Sequence, residues 1–236
     1  MKIIIAPQGF KGGISGLEAA RAIARGVLKA APDAETVLLP VADGGDGTLH
    51  VLVDATGGEI FTSTVTGPIN QQVEAQWGVM GDGRTAVIEM ARASGLAMVP
   101  PRRRNPKVTT TLGTGQILKE AVEMGYERVI VGLGGSATND GGCGMAMALG
   151  AAFIDLEGGL MTDSPPTGGT LERIGEIDLA GLDSRIANTP ITIACDVTNP
   201  LTGPDGAAHI YGPQKGASPE QVEQLDKGLT HLGRLF

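Results

Sequence analysis

The chain has 236 residues, of which 42% are hydrophobic and 3% aromatic, with 37 glycines and a formal net charge of −8. This length permits one large or two small domains with a sizeable core, and abundant Gly and Ala favour helices packed closely on a sheet over a β-sandwich. The acidic balance argues against nucleic-acid binding, which needs a basic face. Two cysteines are too few for a disulfide framework and point to a reduced, cytoplasmic setting.

The first apolar run, 2–6, is β-branched without alternation and predicts a buried strand. Its apolar core is too short for a secretory leader, and no run approaches the roughly 18 residues of a membrane span. A glycine-containing loop holding Phe10 and Lys11 follows. Ser15-x-x-Glu18 predicts a capping box, and Leu17, Ala20, Ile23, Ala24, Val27, Leu28 and Ala31 predict one apolar helix face, ended by Pro32. A second apolar strand over 36–42 closes on Asp43-Gly44-Gly45-Asp46-Gly47. A helix over 48–55 then stops at Gly57-Gly58.

From 59 to 89 the pattern changes. Ile60–Thr66, Val73–Met80 and Thr85–Glu89 read as antiparallel strands, with Gly81-Asp82-Gly83 as a hairpin turn. They predict an inserted β-rich lobe over 59–106, with 1–58 and 107–236 forming the main domain. The basic turn Arg102-Arg103-Arg104 reads most simply as a solvated charge run. A helix over 114–124 precedes the buried strand 128–133. Then comes Gly134-Gly135-Ser136-Ala137-Thr138-Asn139-Asp140-Gly141-Gly142. Such a loop exposes backbone N–H groups and short oxygen side chains, and suggests a cradle for phosphate or a polyhydroxylated anion. Ile191–Cys195 predicts a further buried strand, ending at Asp196. Residues 168–188 carry no clear pattern. Ser218-Pro219-Glu220-Gln221 starts a final helix. Its apolar stripe runs to Leu235 without a C-cap, so the chain is expected to continue and the exposed stripe to favour pairing with a second copy.

Four strand–loop–helix units with unbroken apolar strands predict an α/β fold: a parallel sheet covered by helices on both faces. Ligands of such sheets sit beyond the carboxyl ends of the strands, where the loops after Ala6, Ala42, Leu133 and Cys195 all lie. Walker A is absent, because Gly-Lys occurs nowhere. Gly132-x-Gly134-x-x-Ala137 mimics a dinucleotide fingerprint, but the following Thr138–Gly142 starts a helix poorly. Asp43 and Asp46 are either turn formers or, with Asp196, acids for metal binding or proton transfer. Asp140 is either a loop-stabilising residue or part of the ligand cradle. Lys11 and Lys215 are either surface lysines or phosphate contacts. His50, His209 and His231 do not cluster at metal-ligand spacing, and Cys143 and Cys195 read as small packing residues.

Taken together, Pro40–Thr48, Gly134–Gly142, Cys195-Asp196-Val197-Thr198-Asn199-Pro200-Leu201, Gly212-Pro213-Gln214-Lys215-Gly216-Ala217 and Thr110–Gly115 resemble the bacterial glycerate kinases of the first type. The resemblance implies a two-lobed α/β enzyme that uses ATP and Mg²⁺ to convert glycerate to 2-phosphoglycerate. It implies nucleotide or substrate binding by Asp43, Gly44, Gly45, Asp46, Gly134, Gly135, Ser136, Thr138, Asn139, Asp140 and Lys215, with Asp43 and Asp46 as metal holders. The expected catalytic pair is Asp196, orienting the attacking hydroxyl, and Lys11. The family's first loop usually reads Asp-Ser-Phe-Lys-Gly-Ser, whereas this chain has Gln8-Gly9-Phe10-Lys11-Gly12-Gly13. Family members also usually continue past residue 236. Both departures leave open an alternative, a truncated ligand-binding relative without turnover.

Overall fold

The computed structural model describes residues 1–10, 13–162 and 164–236. It is a mixed α/β structure whose parallel strands lie among flanking helices. Strand β1 (Lys2–Ile5) leads into helix α1 (Gly16–Ala30), and β2 (Glu35–Leu38) returns parallel to β1. The capping box forms: Glu18 N donates to Ser15 Oγ at 3.2 Å, and Ser15 N donates to Glu18 Oε2 at 2.8 Å. These two strands make a sheet of their own, and α1 covers only one face of it through Ile5, Ala20 and Ala24. The expected burial of β1 is therefore incomplete, and Ile4 is 64% exposed.

Helix α2 (Thr48–Thr56) ends where Gly57 adopts φ +67, a left-handed conformation that only glycine reaches without cost. Strands β3 (Glu59–Thr66), β4 (Gln72–Val79) and β5 (Thr85–Glu89) then form the antiparallel series read from the sequence. The ladder does not stop there. β5 pairs in parallel with β6 (Arg128–Gly132), and β6 with β9 (Ile191–Ala194), giving the order β3-β4-β5-β6-β9. Residues 59–89 thus share one sheet with two strands assigned to the main domain. The reason is visible in β5: Thr-Ala-Val-Ile-Glu is buried at every position, as a strand covered on both faces must be.

Between β5 and β6 run the short helix α3 (Ala91–Ser94) and helix α4 (Leu112–Glu123). The main core joins Trp77, Ile88, Ile117, Leu118, Val129 and Val131. Trp77 donates its indole N–H to Ser63 Oγ at 2.9 Å and stacks on Phe61 at 5.0 Å. After β6 come α5 (Cys143–Ala148) and an antiparallel ribbon of β7 (Ala152–Asp155) with β8 (Ile174–Asp178). Then follow α6 (Ser184–Asn188), α7 (Ala207–Tyr211) and α8 (Pro219–Leu232). Phe153, Leu171, Ile174, Leu225, Leu229 and Leu232 form a second core beneath α8.

Two expectations are corrected here. Helix α8 is not uncapped: it ends at Leu232, where Gly233 N–H returns to the Leu229 carbonyl, and its stripe packs on the β7–β8 region, which bears on the helix and not on the length of the chain. Strand β9 is not buried; Ile193 is 51% exposed, because β9 is the last strand in its sheet. Among the described residues no helix is long and apolar enough to cross a membrane.

Candidate active site

The loops that follow β2, β6 and β9 meet backbone to backbone. Gly134 N donates to the Gly44 carbonyl at 3.0 Å, and Leu133 N donates to the Ala194 carbonyl at 3.2 Å. Glycine is required at these contacts by space as well as by φ. A Cβ at Gly44, where φ is +92, would lie 2.2 Å from the Ala194 oxygen, and one at Gly134 would lie 2.4 Å from the Gly45 Cα. Both distances are far inside van der Waals contact, so only bare backbone lets the loops touch. Glycines read as openings toward a ligand are here filled, in part, by neighbouring loops.

The first loop is held from beneath by a residue that the sequence reading passed over. Glu89 is 1% exposed, and its Oε2 accepts from Gly47 N and Leu49 N, each at 3.1 Å. Its Oε1 lies 3.3 Å from Arg92 Nε. A buried carboxylate at the start of α2 suits both the free N–H groups there and the helix dipole. Glu89 ends a strand, and that position was its only sequence signal. Above it Gly45 turns back on Asp43, whose Oδ1 accepts from Gly45 N at 2.9 Å, while the Gln8 amide donates to Oδ2. These bonds, the Gly45 N–H first despite opposing desolvation, hold the Asp43 carboxyl below the usual carboxylate range. Asp46 is exposed, and a Cβ on Gly135 would lie 3.4 Å from its Oδ1.

In the glycine loop, Asp140 is almost fully buried. Its Oδ2 accepts from Thr111 N at 2.8 Å, Thr111 Oγ1 at 2.7 Å and Gly144 N at 3.3 Å, and its Oδ1 from Gly142 N at 3.2 Å. Burial raises its pKa, and those donors oppose the rise. This bonding ties α4 to the start of α5. Lys215, 7% exposed, donates to Ser136 Oγ at 2.8 Å and the Thr138 carbonyl at 2.6 Å. Burial pulls its pKa down to about 8, against the pull of Asp140. Asn139 is also buried, and its Nδ2 has no partner among the described residues. One polar cluster therefore gathers Ser136, Thr138, Asp140 and Lys215 from positions far apart in the chain.

Asp196 lies two residues past the end of β9, exposed and with no hydrogen-bond partner among the described residues. Lys11 lies outside the described residues. Burial pushes the Cys143 thiol up to about 12, whereas Cys195 is exposed. His209 sits between Glu223 at 3.2 Å and Asp226 at 3.6 Å, and His231 bonds the Ile174 carbonyl; neither belongs to this region. Among the described residues no three His, Cys, Asp or Glu side chains gather as a metal cage. Mg²⁺ is commonly held by one or two carboxylates with substrate phosphates and water. The hard, exposed carboxylate oxygens of Asp43 and Asp46 fit that donor chemistry.

Glycine-loop N–H groups, exposed carboxylates and a buried lysine lie together beyond the carboxyl ends of parallel strands, the position at which such sheets bind their ligands. The chain belongs to the glycerate kinase family, whose model matches residues 3–236. It is 54% identical over 232 residues to the glycerate kinase of Bacillus subtilis (strain 168), covering 98% of this chain and 60% of the relative. It is 49% identical over 236 residues to the glycerate 2-kinase of Escherichia coli (strain K12), covering 100% of this chain and 61% of that one. A crystal structure from Salmonella typhimurium LT2, assigned as glycerate kinase 2, superposes with a TM-score of 0.88 at 50% identity. That match covers 100% of this chain and 62% of the other. The chain spans about 60% of the length of the curated relatives it matches.

Proposed function

We propose that the protein carrying this chain transfers the γ-phosphoryl group of ATP to glycerate, giving 2-phosphoglycerate, in a reaction that requires Mg²⁺. The observation that carries this reading is the contact of three strand-end loops bearing Asp43, Asp46 and Asp196, in a chain of the glycerate kinase family. Phosphoryl transfer needs positioning and neutralisation of phosphate charge more than covalent chemistry. Asp196 is the acid assigned to orient the glycerate hydroxyl, by accepting its proton in a hydrogen bond as the oxygen approaches the γ-phosphorus. Lys11 and the N–H groups of Gly135 and Ser136 are assigned to the phosphates or the glycerate carboxylate. Lys215, Thr138, Asn139 and Asp140 are assigned to keeping the glycine loop in shape around the ligand. Asp43 and Asp46 would hold Mg²⁺, which supplies charge neutralisation on the phosphates when bound.

The Gln8–Asp43 hydrogen bond favours a second reading, a ligand-binding relative without turnover, because it occupies one carboxylate oxygen of a proposed metal holder. A coupled assay for ADP on the protein at its natural length, with ATP, Mg²⁺ and glycerate, separates the two. Glycerate-dependent ADP release is the expected result. A folded protein that releases none overturns the kinase reading. The reading also places the protein in the cytoplasm, with glycerate and ATP as its small-molecule partners.

A further inference from the structure

The triple arginine lines one wall of an open cavity of about 470 Å³. The opposite wall is the turn between β3 and β4. That turn is braced: Gly67 N donates to the Gln71 carbonyl at 2.6 Å, Ile69 N to Gln71 Oε1 at 3.1 Å, and Thr110 N to the Pro68 carbonyl at 3.0 Å. Asn70, at the cavity rim, has φ 62, and among the described residues no other non-glycine residue has positive φ. Asn tolerates this conformation, but such positions persist only where surrounding structure enforces them. On the arginine side, Pro100 and Pro101 stiffen a single helical turn, closed by Arg103 N to the Pro100 carbonyl at 2.8 Å. Asn105 accepts from Lys107 N through Oδ1 at 3.1 Å, which leaves its Nδ2 to donate.

The charge is the unusual part. The chain carries a net charge of −8, yet among the described residues Arg102, Arg103 and Arg104 have no carboxylate within ion-pair distance. Three arginines lining one space with the carboxamide residues Asn70 and Asn105 suit a phosphate-bearing molecule, because a guanidinium presents a planar fork matched to phosphate oxygens, and only Arg104 has a bond of its own, from Nε to the Val99 carbonyl at 3.4 Å. Ile69 and Val108 give the remainder of the molecule an apolar wall. The volume falls within the range of small-molecule sites, and exceeds what a lone phosphate needs.

We propose that this cavity is a binding site for a phosphorylated small-molecule anion, held by the guanidinium groups of Arg102, Arg103 and Arg104. None of its lining residues belongs to the strand-end loops. It is nevertheless linked to them. The Arg104 carbonyl packs where a Cβ on Gly216 would sit, 2.4 Å away, beside Lys215, and Thr109 Oγ1 donates to the Ala137 carbonyl at 2.9 Å. A ligand here ties the β3–β4 turn to the segment that abuts the glycine loop.

The test is calorimetric titration of the natural-length protein with inorganic tripolyphosphate, ATP and 2-phosphoglycerate in turn. It is repeated on Arg102→Gln/Arg103→Gln and on Asn70→Asp. These side chains are exposed, so the variants should melt as the parent does. The ligand that occupies the cavity should lose affinity by roughly tenfold or more in the arginine variant. The same ligand should also weaken in Asn70→Asp, which places a carboxylate on the opposite wall, and with added salt. The ligand that responds identifies the source of the phosphate. Unchanged binding of all three in both variants overturns the proposal, and so does failure of all three to bind the parent. Turnover with glycerate is read separately, so either assignment can fail while the other stands.

Discussion

Asp140 and Asp196 are both acids in loops that follow parallel strands, and their surroundings are opposite. Asp140 is buried and accepts hydrogen bonds from Thr111, Gly142 and Gly144, whereas Asp196 is exposed and has no partner among the described residues. A buried carboxylate whose oxygens are occupied shapes a site; one that faces solvent is open to a ligand, and Asp43 stands between the two, exposed but with both oxygens accepting hydrogen bonds. The same contrast separates Lys215, which bonds Ser136 and Thr138 inside the fold, from Arg102 and Arg103, whose exposed side chains have no hydrogen-bond partner among the described residues. Under the proposed function, residues of one chemical type split into builders and binders, and burial makes the division.

The contrast is tested most severely by Asp196→Asn. If Asp196 orients the attacking hydroxyl, kcat should fall by roughly 10²–10⁴-fold, with Tm nearly unchanged. A variant that keeps most of its kcat removes Asp196 from the chemistry, since an ordinary turn position tolerates Asn.

Asp140→Ala should do the reverse. It leaves the Thr111 N–H and hydroxyl and the Gly142 and Gly144 N–H groups without their acceptor, and should cost roughly 3–5 kcal/mol of stability. Denaturant unfolding measures this directly; a loss below about 1 kcal/mol would place Asp140 with the binders.

Lys215 sharpens the builder assignment through pH. Its folded pKa of about 8 lies below its ordinary value of 10.5, so between these values the unfolded chain binds more protons. Stability should therefore rise with pH from about 8 to about 10.5, as the cost of burying the charge is relieved. The expected gain is at most about 3 kcal/mol relative to Lys215→Met. Parallel pH profiles for the two proteins would mean that Lys215 reaches solvent.

The smallest effect belongs to the helix beneath the site. Ser218→Ala removes the acceptor of Gln221 N at 3.3 Å and should cost about 1 kcal/mol. Turnover should not change. If it does, α8 positions Lys215 more directly than its packing implies.

Most features written in neighbouring residues were legible before the fold. The capping box at Ser15/Glu18, the helix start at Ser218-Pro219 and the stop at Gly57 are read from spacings of a few residues, and they stand in the structure. The motifs around Asp43, Gly134 and Asp196 are continuous stretches, which is why the family was legible. What tertiary structure decided is pairing over distance. No local signal says that β5 rather than β2 lies beside β6, that β9 is an exposed edge, or that Glu89 underlies Gly47. Nor does one say that Lys215 reaches Thr138 across 77 positions. Strand order depends on which apolar faces can be covered together. Whether an acid builds or binds depends on which donors folding brings within 3 Å or so of it, and neither quantity exists until the chain has closed on itself.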